Sequence, residues 1–595
     1  MPTRFPRHAP VLAAGLLLAA CAGSAGQTPT VSAPAASAPP SSAPAGSAPG
    51  SAPAMPASGG LPLKHAPEPT RTAIDPNDLM SRMYVFTDDS MLGREFGTRG
   101  NVMGTDYIAA EVKRMGLEPA GENGTYFQTL PVSRRRLDPS ATLSAGGATL
   151  APWTDFAPFD QGPGVRDVNG APVIYGGVWG DSARLIRAAE ARGKVVVLTL
   201  SPGPGGVPAW TASRQQLQAR FPEAAGIALA TLDRMPSNVL AFLREPGTRV
   251  GAADSVARPA HFWVTPAAAA GLLGADLATV KRGAAGGRIT GSVAFRTEPA
   301  EFPARNVVAV LRGSDPALRG QYVAIGSHND HIGVARNPVD HDSLRAFNAV
   351  MRPQGADDEP GRPTPGQAAR ITALLDSLRR VHPPRLDSIA NGADDDGSGS
   401  VAMLEIAEQL AAAPVKPRRS VLFIWHTGEE AGLLGAAHFT AHPTVPRDSI
   451  VTQLNIDMIG RGSAEDTPGG GPGYLQLIGS RRLSRELGDL VETVNRSKGH
   501  AFAFDYQFDA NGHPGQFYCR SDHYEYAKYG IPVTFFSSGG HRDYHMVTDE
   551  AQYIDYVKLA RVAGLIRDVA LAVADLDHRP ALSAPKPDPE GQCVQ

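Results

Sequence analysis

The sequence predicts an α/β layered fold that a β-rich segment interrupts. Three observations carry this. After Pro299, strand-like apolar runs alternate with helical stretches. Between about 133 and 298 the runs are short, β-type and broken by glycine and proline. Between Pro76 and Val132, apolar residues recur at three- and four-residue steps. Strands alternating with helices bury their apolar faces by stacking in layers, and the period of each run decides which element it becomes. With 595 residues, the chain has room for two or three domains of about 150 residues each.

Taken in order, Arg4 and Arg7 precede an apolar run from Val11 to Ala20. That run is too short for a membrane-spanning helix and suits a signal peptide over residues 1–20. It ends in Leu18-Ala19-Ala20-Cys21, which resembles a bacterial lipoprotein box in which the cysteine is lipidated; cleavage after a small residue such as Ala22 is the alternative. Residues 22–60 hold 34 Ala, Pro, Ser or Gly among 39 and carry no charge. Such a stretch cannot bury enough apolar surface to offset its ordering entropy, so 21–69 reads as an extended tether. Residues 70–132 read as helical, with Met80, Met83, Tyr84 and Phe86, then Tyr107, Ile108, Val112 and Met115, at helical spacing. Residues 133–298 are the β-rich unit, with runs at Ala171–Tyr175, Lys194–Leu200, Gly226–Ala230 and His261–Thr265. Residues 299–578 give strand-like runs at Asn306–Leu311, Tyr322–Ser327, Val421–Thr427, Ile450–Asp457, Leu475–Ile478 and Val533–Ser537. Helical stretches lie among them at Ser398–Ala412, Arg482–Val494 and Tyr553–Ala572. Residues 579–595 read as a tail.

Lysines and arginines number 56 against 59 aspartates and glutamates, a net charge of −3. That balance offers no basic surface for nucleic acid or an anionic membrane. Three cysteines, Cys21, Cys519 and Cys593, are too few for a disulfide scaffold or a Cys-rich zinc site. Chemistry must rest on carboxylates and imidazoles, and these gather at strand ends, where open α/β sheets place ligand sites. Tyr322–Ser327 runs into His328-Asn329-Asp330, and Asn391-Gly-Ala-Asp394-Asp395-Asp396-Gly-Ser398 opens a helix. Val421–Thr427 leads to Gly428-Glu429-Glu430, and the strand from Ile450 ends in Asn455-Ile-Asp457. Pro532–Phe536 leads to His541-Arg-Asp-Tyr544-His545. One such coincidence is cheap, because carboxylates also cap helices; five in order are not.

These motifs resemble the co-catalytic di-zinc aminopeptidases of metallopeptidase family 28 over about residues 300–575. The resemblance implies a zinc-exopeptidase fold, α/β with a mixed central β-sheet flanked by helices. Residues 133–298, with Gly193-Lys-Val-Val-Val-Leu198 as the most recognisable piece, resemble the protease-associated domain inserted in larger members. Met91–Thr98, Gly116–Gly121 and Tyr126–Gln128 are similar to the N-terminal helical part of those members.

Carried over residue by residue, the resemblance makes His328, Asp395 and Asp457 ligands of one zinc ion. Asp395, Glu430 and His545 would hold the other, with Asp395 bridging. Nitrogen and oxygen donors without sulfur suit two Zn2+ ions in an open catalytic site, and cobalt or manganese would accept the same set. A carboxylate is a natural bridge because it has one oxygen for each metal. Asp330 is placed to fix the tautomer of His328. Glu429 is the catalytic candidate: neighbouring side chains of an extended segment diverge, leaving it free to take a proton from the attacking water and return it to the leaving amine. Tyr544 matches a family position that steadies the tetrahedral oxyanion; aromatic packing is its alternative. The implied protein is an exported zinc-dependent exopeptidase acting on peptides, first of all an aminopeptidase. It would be a periplasm-facing or outer-membrane lipoprotein, otherwise secreted, touching a membrane only through a lipid on Cys21. The alternatives are a carboxypeptidase or dipeptidase on the same scaffold, a glutaminyl cyclase relative, and a non-catalytic peptide-binding lipoprotein. The complete ligand set and Glu429 argue against the last.

Other residues read less sharply. Gly355-Ala-Asp357-Asp358-Glu359 looks like the bridging-aspartate motif but lacks the Ser-Gly and apolar helix that follow Asp395, so it reads as a solvated loop. His331 reads as a polar rim residue or a substrate contact, and His438 and His442 as surface groups of a helix. Ser521-Asp522-His523 resembles a family segment near the site; without a Gly-flanked serine elbow it does not suggest a Ser/His/Asp triad. Asp549 reads either as a support for the site or as a surface cap. Cys519 and Cys593 would pair in an oxidising compartment, against which stands the proline-rich setting of Cys593. The long stretch 329–394 contains a helical run at Gln367–Val381. A connection of that length reads as a lid or rim restricting substrates to short peptides or free N-termini.

Overall fold

The computed structural model describes residues 61–595 except 146, 160–163, 203–208, 245–246, 251–256 and 382. The expected signal peptide and most of the expected tether lie outside the described residues. Among the described residues, no helix is long and apolar enough to cross a membrane.

Four parallel strands form the middle of a nine-stranded sheet, in the order Ser420–His426, Tyr322–His328, Ile450–Ile456 and Val533–Ser537. Every residue in them is buried, which is what a sheet covered by helices on both faces requires. Ala304–Leu311 flanks them antiparallel on one side and Tyr474–Ile478 on the other, so the sheet is mixed. Alternate strand residues face opposite cores. Val323, Ile325 and Phe423 join Leu79, Val401 and Val562 of the helices Pro76–Phe86, Gly399–Ala412 and Tyr556–Ala574. Ala324, Leu422 and Ile424 instead meet Phe439 and Tyr526 of Leu434–Ala441 and His523–Ala527. Because the central four strands run the same way, their carboxyl ends share one edge.

The N-terminal region is helical at Pro76–Phe86 and Arg99–Arg114, but not throughout as the spacing predicts. Glu118–Pro119 and Phe127–Leu130 pair antiparallel with Ala304–Leu311 and widen the sheet. Strands of two and four residues are too short for a period-two pattern to stand out.

The β-rich region builds a second sheet of six strands. Pro172–Trp179, Val195–Leu200, Gly226–Ala230 and Ala260–Val264 run parallel in its middle. It has its own apolar cores, with Val195, Val197 and Phe262 on one face and Val196, Leu198 and Ile227 on the other. The chain enters it through Val132–Leu137 and returns through Phe295–Pro299, and these two strands pair antiparallel.

Within 329–394, Val334–Asp340 and Leu386–Ile389 form an antiparallel ribbon that carries the helices His341–Met351 and Pro365–Leu378. Thr364 and Gln367 cap each other at the start of the second helix, with Pro365 at its first turn. The first helix docks on the loop that holds His545. His341 Nε2 lies 2.9 Å from Glu550 Oε2, and Asn348 Nδ2 donates to the Arg542 carbonyl at 3.0 Å.

The C-terminal segment is fastened down. Cys593 is disulfide-bonded to Cys519 with their Cα atoms 5.8 Å apart, and the Gln595 side chain accepts the Tyr518 N–H at 2.8 Å. The bond closes a sequence separation of 74 residues. Replacing both cysteines by serine is expected to lower the unfolding free energy by about 2–5 kcal/mol, read from the urea midpoint under non-reducing conditions.

Candidate metal centre

Each expected ligand arrives on a different segment at the shared edge of the sheet. His328 ends its strand, and Asp457 follows Ile456. Glu429 and Glu430 follow His426 across Gly428, whose φ is +72° and where a Cβ would lie 2.7 Å from the Phe96 ring. Only glycine fits such a turn. Asp395 lies in the irregular turn before Gly399–Ala412, and His545 in the loop after Val533–Ser537.

The five side chains converge as two groups that share Asp395. His328 Nε2 lies 3.1 Å from Asp395 Oδ1 and 3.7 Å from Asp457 Oδ1. His545 Nε2 lies 3.0 Å from Asp395 Oδ2 and 2.8 Å from Glu430 Oε2. In each group the potential ligand atoms lie within 4.8 Å of one another. His331 joins the second group, its Nδ1 2.7 Å from Glu430 Oε1 and 3.8 Å from Asp395 Oδ2. The rim position expected for His331 is therefore wrong: the residue is 1% exposed. Its N–H bonds to the Arg94 carbonyl, and Gly392 leaves room for its ring, since a Cβ there would come within 2.5 Å.

Buried polar groups hold these segments together. Asp396 accepts the backbone N–H of His328 at 3.1 Å, of Gly399 at 2.8 Å and of Met458 at 3.3 Å. Asp549 accepts those of Asp394 and Asp395 at 3.0 and 3.1 Å, so it supports the site and is not a surface cap. Ser521 Oγ donates to Asp457 Oδ2 at 2.7 Å, which gives the Ser521-Asp522-His523 segment a supporting part without a triad. His523 is buried, and that burial pushes its pKa down to about 3. Asp330 differs from expectation. Its carbonyl, not its carboxylate, meets His328 Nδ1 at 3.1 Å, because the chain turns directly after the strand. The nearer carboxylate oxygen lies 3.8 Å from that nitrogen and accepts the Glu429 N–H at 3.2 Å.

Sequence spacing gives no signal for the part played by Arg94, although the Met91–Thr98 motif contains it. Fully buried, it donates to the carbonyls of Phe86, Asn391 and Gly392 at 3.0, 2.8 and 3.0 Å. His438 is half-buried on the helix Leu434–Ala441 and His442, just past its end, is exposed; Asp357 is exposed and Asp358 half-buried.

Burial is the largest influence on every carboxylate here, and it disfavours charge. At Asp395 the flanking His328 and His545 outweigh it and hold the carboxyl well below its usual range. At Glu430, despite burial and the nearby Asp395, His545 and His331 bring the pKa to about 2. Glu429 goes the other way: burial, with Glu430 and Asp457 adding to it against the pull of His328, raises its pKa well above an ordinary glutamate. Adjacent residues are thus driven apart, one held as an anion and the other toward its protonated form.

The donor set fits a metal. His328 Nε2, the atom that faces Asp395 and Asp457, is buried without a hydrogen bond of good geometry, an arrangement native proteins rarely leave unexplained. Imidazole and carboxylate donors without thiolate suit zinc. The comparison with known sequences agrees: residues 306–570 match the model of Peptidase family M28. That segment belongs to peptidase family M28.

The M28 segment contains the five expected ligands, Glu429, His331, Asp396 and Asp549, while Arg94 lies outside it. Among curated proteins, Leupeptin-inactivating enzyme 1 of Streptomyces exfoliatus is 30% identical over 170 residues, 28% of this chain and 34% of that protein. Leucine aminopeptidase 1 of Arthroderma gypseum is 35% identical over 138 residues, 22% of this chain and 33% of its own length. The chain thus spans about a third of the length of these curated relatives. Among solved structures, an aminopeptidase from Aneurinibacillus sp. strain AM-1 aligns with a TM-score of 0.45 and 17% identity, covering 86% of this chain and 97% of that one.

Asp549→Ala, which removes a support and no donor, is expected to weaken zinc binding about 10–100-fold in competition with a chromogenic chelator. Asp395→Asn should weaken it further; an unchanged affinity in that variant would show that the two groups do not share the aspartate.

Proposed function

We propose that the protein is an exported zinc aminopeptidase that releases N-terminal residues from peptides. The observation that carries this reading is the sharing of Asp395, one oxygen toward His328 and Asp457 and the other toward Glu430 and His545, beside a glutamate poised to accept a proton. Two Zn2+ ions would be held by these five residues with Asp395 between them. When bound, zinc supplies an acidified water and a polarised carbonyl.

The chain's own groups do the rest. Glu429 takes the proton of the attacking water and returns it to the departing amine. Tyr544, on the wall of the same cleft, donates its O–H to the oxyanion as the carbonyl becomes tetrahedral. Asp330 holds the segment that carries Glu429. Met458, Ile478, Phe517 and Phe535 give the cleft an apolar side, which suits a substrate with an apolar side chain next to the cleaved bond. The names of the curated relatives, which include leucine aminopeptidases, support the same substrate class. We assign the β-rich unit as a protease-associated domain and Cys21 as a lipid attachment point, on the sequence motifs given above.

The test is cleavage of matched peptides with free and blocked N-termini, with and without chelator. Cleavage should be lost on blocking the amine and on removing metal; equal cleavage of both peptides would exclude an aminopeptidase. Glu429→Ala should lower turnover about 10²–10⁴-fold while zinc content stays at the wild-type level. A near-normal rate would remove the assigned role.

A further inference from the structure

The stretch 329–394 bears on the candidate oxyanion donor at both ends, directly at its backbone and through Arg520 at its hydroxyl. At the backbone end, the Ala356 N–H donates to the Tyr544 carbonyl at 3.1 Å. Gly355 packs so closely, at φ +58°, that a Cβ would lie 2.5 Å from that carbonyl and 2.9 Å from Tyr544 Cβ. At the hydroxyl end, Arg520 makes a two-pronged pair with Asp357, at 2.9 and 3.0 Å. The nitrogen in the longer contact also donates to Tyr544 Oη at 3.2 Å. Three consecutive residues of the insertion therefore bear on one tyrosine, whose ring is also stacked on His545 at 4.1 Å between centroids.

We propose that the turn Gly355–Asp357 positions Tyr544 for catalysis, with Asp357 acting through Arg520 to set the direction of the phenolic O–H. This deepens the aminopeptidase reading and rests on it. A phenol oxygen that accepts a hydrogen bond on one side turns its own proton to the other, leaving that proton for a group in the cleft. The guanidinium is forked, so a carboxylate gripping it on two nitrogens fixes its plane as well as its distance. Asp357 is thus a positioning residue supplied by the insertion. The segment read as a lid from its length has a second task, holding a reacting group in place.

Asp357 is the residue to change: both it and Arg520 line the cleft, but Arg520 donates to the phenol itself whereas Asp357 reaches it only through Arg520, and an unchanged KM separates positioning from substrate contact. In the full-length protein, Asp357→Asn and Asp357→Ala should lower kcat about 10–100-fold, the cost of a misplaced catalytic group. KM for a dipeptide should stay within about twofold, as for an interaction made only in the transition state. In a Tyr544→Phe background the same changes should cost nothing further. Equal losses in both backgrounds would overturn the proposal, as would a changed preference for peptide length at unchanged kcat, the signature of a lid alone. A readout without turnover keeps the two readings apart. The 13Cζ resonance of labelled Tyr544, assigned by its loss in Tyr544→Phe, should shift in the zinc-loaded Asp357→Asn variant. An unmoved resonance overturns the positioning role even if the enzyme is an aminopeptidase, and a shifted one supports it even if blocked peptides are cleaved equally well.

Discussion

A carboxylate that is 3% exposed has to meet positive charge on its own doorstep, because water cannot reach it and an isolated buried anion costs several kcal/mol. Asp395 satisfies this with an imidazole at each oxygen, and the rest of the centre is built to keep that arrangement. Asp549 takes its amide N–H, Asp396 ties its turn to two other segments, and Arg94 grips the carbonyls just before it. None of these supports points at the cleft. They restrict the backbone so that side chains from distant parts of the chain stay within ångströms of each other.

The same logic extends into the helical layer. Gly399–Ala412 starts four residues after Asp395 and is tied to Pro76–Phe86 by Arg82, whose guanidinium is buried against Glu405 at 2.6 Å and also pairs with Glu408 and Glu111. Burial lifts Glu405 to about 7 against the pull of Arg82, a sign of how little water reaches this pair. The N-terminal helix thus anchors the helix that follows the turn presenting the shared aspartate.

The fold was largely legible because its strands are buried on both faces and read as continuous apolar runs; Gly226–Ala230 and Val533–Ser537 have the bounds expected. The site was legible wherever a carboxylate or imidazole followed such a run, as with His328, Glu430, Asp457 and His545. What escaped depends on contacts that sequence spacing does not encode. His331 is internal because of a glycine sixty-one residues later, at 392. Asp549 reveals its part only when its loop folds back onto Asp394 and Asp395. Tyr544 meets Gly355, which a reading of local composition leaves in solvent.

The pairing of Val132–Leu137 with Phe295–Pro299 has a consequence for how this chain is made. Strands joined in a ladder lie about 4.8 Å apart, so the β-rich unit, once folded, delivers its two ends side by side. Phe127–Leu130 emerges from the ribosome long before its partner Ala304–Leu311. By folding in the interval, the guest converts a separation that a random coil would have to close at an entropic cost into a short, pre-formed neck, and the host resumes its sheet as though nothing had been inserted.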